Sequence, residues 1–350
     1  MYDVAIIGLG PAGSFLAKHL NSTLKVIAID KKKKEENNNF SKPCGGLLAP
    51  DAQKILSRFD MTLQKDILVN PQIFSVKTID IKNDLIRYYQ RFYINLDRHK
   101  FDCWLIEQIP DTVEVHQNAT VIAIEKENDF YNICYKKNNK KYNIQSKYLV
   151  GADGAFSFVR RKMHSDFKIH AYLSIQEWFL DVHETPFYSC VFDSDLTDSY
   201  AWGVSKDEYF IFGGAFPIET AKQDFREMKE KLKKYGFHFG EPKKVEACLV
   251  LRPKGINNFC CGEQGVFLVG EAAGFISPSS LEGISYAIES GYLLAQCLNK
   301  NGNNVNQEYV KATRKIRWKL FLKNIKRPFM YHPLLRKIVM KSGITAIHKK

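Results

Sequence analysis

The chain has 350 residues, 45% of them apolar, and a formal net charge of +13. That length supports a large core and exceeds what one simple globule needs, while its ordinary Gly and Pro content excludes collagen-like and low-complexity classes. No apolar run reaches the roughly eighteen residues of a membrane span, and eight scattered cysteines, none in a CxxC, give no zinc pattern; with no secretory leader ahead of them, reduced cytosolic thiols are expected.

The first thirty residues alternate between two periods. YDVAIIG is an apolar, strand-like run, GLGPAG a turn, SFLAKHL a short helix, and LKVIAID a second strand ending in an acid. Gly8, Gly10 and Gly13 stand in dinucleotide-fingerprint spacing inside this βαβ unit, where one permits a tight turn, one lets a pyrophosphate approach and one lets helix and strand pack closely. Pro11 and Ala12 lie in the same turn and are counted with the cofactor-binding residues, and the unpaired N–H groups at the start of the helix then face the phosphates. Asp30 is placed to accept from an adenosine ribose hydroxyl, and Lys31 begins a lysine run, 31–34, that reads as a solvated loop or as a ribose-phosphate contact.

The next constrained piece is FSKPCGGLLAP, residues 40–50, which sets Cys44 between Pro43 and the pair Gly45 and Gly46. PQIFSVKTIDI and LIRYYQRFYI then alternate as strands over about 71–95, followed by LDRHKFDCWL. YLVGADGAFSFVRR, residues 148–161, reads as a strand, a turn around Asp153 and a basic helix start. From about 168 strand-like runs rich in aromatic and β-branched residues dominate, with SKDE as a hairpin turn and KQDFREMKEKLKKYGF as an amphipathic helix. Within DSYAWGVSKDEYFIFGG, Tyr200 and Trp202 are two apart and share one strand face. The segment 265–298, GVFLVGEAAGFISPSSLEGISYAIESGYLLAQCL, gives a strand, a tight turn carrying Gly270 and Glu271, and a helix starting near Gly283 and Ile284. There is no paired catalytic carboxylate, no nucleophile triad and no metal-ligand spacing, so a cofactor is expected to carry the hard chemistry.

On KPCGG, the tyrosine-x-tryptophan element and the long GEAAGF segment, the chain resembles the geranylgeranyl reductase family of FAD-dependent oxidoreductases, specifically its CbrA-type members, over nearly its whole length. The resemblance implies an α/β fold in which a glutathione-reductase-like, FAD-binding Rossmann domain (1–70, 96–165 and 255–300) is interleaved with an antiparallel-sheet α+β substrate domain (71–95 and 166–254). A basic helical C-terminal region (301–350) follows. It further implies that Asp30 holds the adenosine ribose, that Arg98 lies near the cofactor phosphates and that Asp153 supports the FAD fold. Glu271, where most relatives carry aspartate, would reach the ribityl or pyrophosphate region, and the helix from Gly283 would point at the flavin ring. The loop of Cys44, Gly45 and Gly46 would lie beside that ring, with Tyr200 and Trp202 lining the substrate cavity. Cys44 could then donate a proton, shape the pocket, guard against stray oxidation, or be simply a small buried hydrophobe.

The tail completes the pattern. Residues 301–350 hold thirteen Lys or Arg and one acid, Glu308, which leaves the rest of the chain almost neutral. Val310, Ile316, Leu320, Phe321 and Ile325 recur near helical spacing, and Pro328 and Pro333 are expected to break the segment into two helices. Such a pair suits an anionic membrane surface or a solvated cap; no nucleic-acid module accompanies the charge. The expected function is reduction of carbon–carbon double bonds in an isoprenoid or other hydrophobic substrate, with NAD(P)H or a protein or quinol donor supplying electrons. A flavin monooxygenase of an apolar or aromatic compound, and a non-catalytic flavin- and lipid-binding protein, are the alternatives. The expected location is the cytoplasm, with peripheral contact on the inner face of the membrane.

Overall fold

The computed structural model describes residues 1–32, 43–300, 302 and 304–347, so Lys33 and Lys34 of the lysine run and Lys42 of the KPCGG loop lie outside the described residues. The chain begins with β1 (Tyr2–Ile7), α1 (Pro11–His19) and β2 (Val26–Ile29), then β3 (Leu47–Leu48) and α2 (Pro50–Ser57). A hairpin of β4 (Ser75–Asp80) and β5 (Leu85–Gln90) precedes β6 (Ile94–Asn95) and α3 (Arg98–Glu107). Next come β7 (Val113–His116), β8 (Ala119–Glu127), β9 (Phe130–Lys137), β10 (Lys140–Gly151) and α4 (Phe158–Met163). The strands β11 (Ala171–Leu180), β12 (Tyr188–Phe192), β13 (Ala201–Lys206) and β14 (Tyr209–Phe216) lead to α5 (Ala221–Leu232) and β15 (Lys244–Leu251). Then β16 (Val266–Leu268) and α6 (Ile284–Asn299) are followed by α7 (Val305–Ala312), α8 (Arg314–Tyr331), α9 (Pro333–Ser342) and β17 (Ala346–Ile347).

The chain divides into two compact units. The first gathers Met1–Ser41, His99–His170 and Leu251–Leu322. Its sheet runs β7-β2-β1-β10 with parallel pairing, and β16 joins β10 in parallel while β9 and β8 continue from β10 as an antiparallel meander. β1 and β2 read as unbroken apolar runs because a central parallel strand is covered on both faces, and Val4, Ala5 and Ile6 with Val26 to Ile29 are all buried in this unit's core. The GxGxxG turn therefore falls at the carboxyl end of β1, where ligands of open α/β sheets bind. α7 closes this unit through Asn306, which accepts from Gly265 N and donates to Val266 O, and through the buried Tyr309 hydroxyl, 3.0 Å from Leu268 O.

The second unit comprises Lys42–Arg98, Ala171–Val250 and Lys323–Lys350. Its sheet has the order β15-β11-β14-β13-β12-β4-β5-β17. The β11–β14, β13–β14, β12–β13, β4–β5 and β5–β17 pairs are antiparallel, but β12 and β4 pair in parallel. Alternation along each strand predicts the strands but is blind to this direction, because β4 and β12 come from distant parts of the chain. α5 buries Phe225, Met228 and Leu232 against Phe179, Phe212 and Phe216, the apolar stripe its helical period announces. The turn between β13 and β14 is the anticipated hairpin, with Asp207 at φ 50°.

The tail departs from expectation. Only Pro333 stands at a helix boundary, at the first position of α9, whereas Pro328 lies inside α8. Proline gives up its own bond to the preceding turn, but its carbonyl still accepts, here from His332 N at 2.8 Å, so the helix runs on past it. Arg336 is not a surface charge: it is buried and pairs with both oxygens of the equally buried Asp80, at 2.7 and 2.9 Å, while donating to Met330 O and Tyr331 O.

Candidate functional site

In the first unit the glycine turn has the shape its spacing foretells. Gly8 adopts φ +101°, and a Cβ there would come within 2.6 Å of the Ala152 carbonyl oxygen. A Cβ on Gly13 would overlap the Gly8 carbonyl. At Gly10, by contrast, a Cβ would meet nothing within 4 Å, so open space lies at this point of the turn. Gly10 is also the N-cap of α1 and has no side-chain cap, with Pro11 at the first helical position. Backbone N–H groups and the positive end of the helix dipole face space of the kind a diphosphate fills. The residues present therefore fit a dinucleotide.

Asp30 is 4% exposed at the end of β2. One carboxylate oxygen accepts from Leu9 N and the other accepts from Lys32 N at 2.6 Å, so the carboxylate is fixed against the glycine turn. Each oxygen retains a second lone pair for a hydroxyl. Lys31 beside it is exposed, whereas Lys32 turns inward to pair with the buried Asp102 on α3 at 2.7 Å. Arg98 is the first residue of that helix.

Two further turns complete this unit's site. Asp153 Oδ2 accepts from Phe158 N at 2.6 Å and Val159 N at 3.2 Å, bonding the start of α4. Its Oδ1 is buried with no hydrogen-bond partner among the described residues, and burial raises the carboxyl above the usual range. Arg160, one of two consecutive arginines, is the one that buries: Nη1 donates to Ala272 O and Nη2 to Ala155 O, both at 2.6 Å, joining the Asp153 turn to the Glu271 turn. Gly270, at φ +58°, donates its N–H to Ser290 Oγ at 2.9 Å and would place a Cβ 3.0 Å from Ala12 Cβ. Glu271 reaches backbone rather than open space, accepting from Leu251 N at 2.9 Å, which is where its extra methylene sends one oxygen.

The helix α6 starts as anticipated, with Gly283 as N-cap, no side-chain cap, and Ile284 as its first residue. Sequence reasoning missed what positions it. Gly291 packs so closely on α1 that a Cβ would overlap the Ala12 carbonyl oxygen and lie 3.2 Å from Leu16 N. Ala12 thus touches both the Gly270 turn and α6, and the two helices whose N-termini matter here are locked by one crossing.

The second unit brings together the thiol loop and the aromatic strand. Cys44 Sγ accepts from Gly46 N at 3.4 Å. A Cβ on Gly45 would stand 3.3 Å from Trp202 Nε1, and one on Gly213 would stand 2.7 Å from the same indole, so Trp202 is held between two glycine backbones. Its Nε1 is buried and has no hydrogen-bond partner among the described residues. Tyr200 lies alongside, with ring centroids 5.8 Å apart. Cys190 pairs across the strands with Trp202 on that sheet face, and burial pushes its thiol up to about 12, so it stays neutral.

Lys206 is the residue the sequence reading overlooked. It is 4% exposed, and its ammonium donates to Asn95 Oδ1 at 2.6 Å, Leu96 O at 2.7 Å and Gly46 O at 3.2 Å. Gly46 itself is at φ +61°, where a Cβ would overlap Leu96 O and stand 2.6 Å from Lys206 Nζ. Burial lowers the Lys206 pKa to about 8, opposed by the neighbouring acidic groups, Asp97 and Asp207 among them. The loop's glycines are thus required by protein packing on Trp202 and Lys206, beyond any need to approach a ligand. Strand alternation held the clue: Lys206 shares a face with Trp202, and a lysine at that position is out of pattern.

Residues 107–320 match the family model described as FAD binding domain. The chain is 50% identical over 346 residues to "Protein CbrA" of Shigella sonnei (strain Ss046), covering 99% of this chain and 98% of that protein. Among solved structures it is similar to a geranylgeranyl bacteriochlorophyll reductase-like protein from Thermoplasma acidophilum, with a TM-score of 0.75, 21% identity, and coverage of 97% of this chain and 90% of the other. A triple mutant of the flavin-dependent brominase Bmp2 is also similar, with a TM-score of 0.69, 18% identity, and coverage of 98% and 94%. At those identities the two structural likenesses speak to the fold alone.

Proposed function

This chain belongs to the family of the CbrA proteins and is a flavoprotein with FAD as its cofactor, and from that premise we propose that it is a reductase of carbon–carbon double bonds in an isoprenoid or similarly hydrophobic substrate. The observation that supports this reading best is the second unit's surface: a thiol on a pinned loop, packed against an aromatic strand, with the Lys206 ammonium buried behind the loop on the oxygens of Gly46, Asn95 and Leu96. Such a surface suits an apolar, uncharged chain.

When bound and reduced, FAD supplies a hydride equivalent, and double-bond saturation also needs a proton at the neighbouring carbon. Cys44 holds that proton in our reading. Lys206 fixes the loop that presents it, and Tyr200 and Trp202 bind the apolar chain and exclude water. In the first unit Gly8, Gly10, Pro11, Ala12 and Gly13 form the diphosphate cradle, Asp30 takes the ribose, and Asp153, Gly270 and Glu271 support the rest of the cofactor, with Arg98 at the start of α3 assigned to its phosphates. The N-terminus of α6 at Gly283 and Ile284 stabilises negative charge that accumulates on reduction. The lone dinucleotide fingerprint serves FAD, so NAD(P)H visits transiently or a protein or quinol donor takes its place.

The test is anaerobic reduction of the holoprotein, mixing with prenyl lipids that carry isolated double bonds, and mass analysis of the product. Gain of hydrogen with reoxidation of the flavin supports the reading. Gain of oxygen on admitting air would replace it with a monooxygenase, and lipid binding without turnover would leave a non-catalytic carrier.

A further inference from the structure

The C-terminal helices carry two apolar faces where one is enough to fold. On α8, Ile316 and Leu320 are buried in the first unit's core. Trp318, Leu322, Ile325 and Phe329 are instead between 44% and 59% exposed. Their spacing of four, three and four residues places them within an arc of about 60° on the helix, opposite the buried pair. The Trp318 ring lies 5.5 Å from that of Phe321, which widens the aromatic end of the stripe. Exposed Arg314, Lys315, Lys319 and Lys326 flank it on both sides.

The next helix repeats the arrangement. Arg336 and Met340 of α9 face inward, and the Arg336–Asp80 pair fixes which side of the helix is covered. Leu334 and Ile338, one turn apart, are 64% and 65% exposed, and Val339 and Ile344 are exposed beside them. No helix among the described residues is long and apolar enough to cross a membrane.

We propose that this exposed stripe of α8 is a docking face for an anionic lipid bilayer, lying in the headgroup region with the apolar side chains inserted and the flanking lysines and arginines on the phosphates. Charge selects this occupant: the last fifty residues hold thirteen basic side chains against one acid, and with Arg336 buried against Asp80 the excess stays strongly positive, so an acidic surface is the complementary partner. The aromatic and aliphatic stripe between cationic flanks is the pattern of a surface-lying helix. The proposal is independent of which substrate the enzyme reduces.

The experiment is flotation of the full-length holoprotein with vesicles of phosphatidylcholine alone or mixed with phosphatidylglycerol. Binding to the anionic vesicles is expected to exceed binding to the neutral ones by about tenfold or more and to fall as salt rises. A variant carrying Trp318→Ser, Leu322→Ser, Ile325→Ser and Phe329→Ser is expected to lose about tenfold in partitioning while its FAD absorbance and thermal transition stay those of the parent. A second variant, Arg314→Gln with Lys315→Gln and Lys326→Gln, keeps the stripe and is expected to lose the preference for anionic vesicles. Equal recovery of parent and serine variant from anionic vesicles would overturn the proposal. So would a concentration-dependent dimer that the serine substitutions abolish, since the stripe would then belong to a second copy of the chain.

Discussion

The ammonium of Lys206 lies 3.2 Å from the carbonyl oxygen of Gly46, two residues beyond the Cys44 thiol. A cation this deeply buried, bonded to amide oxygens, is costly to keep charged. The contact therefore makes the shape of the thiol loop answer to the protonation of one strand residue.

That link has a pH signature. The folded protein releases the Lys206 proton near pH 8, whereas the unfolded chain holds it to the ordinary lysine value of 10.5. Between those values the unfolded state binds more protons, so stability rises with pH; below 8 both states are protonated and above 10.5 neither is. Unfolding free energy of the parent relative to Lys206→Met should increase across this window, by up to about 3 kcal/mol. Chemical denaturation at several pH values measures it, and parallel curves would remove the buried ammonium from the account.

Replacing Cys44 by Ala should leave FAD bound and slow oxidation of the reduced enzyme by substrate about a hundredfold, the scale of a lost general acid. Rapid-mixing single-turnover absorbance reads this directly. An unchanged rate would reduce Cys44 to a wall of the chamber. Gly46→Ala is a separate matter, since its φ of +61° and the overlap with Leu96 O predict a loss of about 2 kcal/mol in stability.

The crossing of α1 and α6 at Gly291 should tolerate no side chain. Alanine gains about 1 kcal/mol in helix propensity, yet its Cβ would overlap the Ala12 carbonyl. We expect a net loss of about 1–2 kcal/mol for Gly291→Ala and more for Gly291→Val. FAD should dissociate faster too, because Ala12 lies in the fingerprint turn. Fluorescence of released flavin during a thermal ramp follows both effects, and parent-like retention in the valine variant would contradict the packing argument.

Breaking the buried pair should be severe. Arg336→Met strands the Asp80 carboxylate in a site with no solvent, at a cost of about 3–5 kcal/mol. The double change Asp80→Leu with Arg336→Met removes both charges and should recover most of that loss in a denaturant titration. Additive losses would show that the two residues do not act as a pair.

Much of the frame was legible in the sequence, for reasons that are local. A GxGxxG turn between an apolar run and a helix needs only neighbours in sequence, so Gly8, Gly10 and Gly13 fall where their spacing requires. The helix from Gly283 and the hairpin at Asp207 were equally plain. What escaped depends on contacts between distant segments. Gly291 reads as an unremarkable helical glycine until α1 is laid against it, and Lys206 reads as a surface lysine until Asn95 and Leu96 arrive beneath it. Arg336 reads as one more basic residue of the tail, because periodicity assigns a face to a helix but not the partner that covers it. Pro328 misled in the other direction, since a proline loses its bond to the turn before it but can still accept from the turn after it.

The short strand β17 pairs with β5, Ala346 opposite Tyr89 and Ile347 opposite Tyr88, at the far margin of the eight-stranded sheet. Two residues of the tail thereby shield a row of donors and acceptors that would otherwise stand ready to template another chain. Trimming the protein after α9 would strip that guard, and self-association through the bared β5 margin is the failure to look for when a shortened version clouds on concentration.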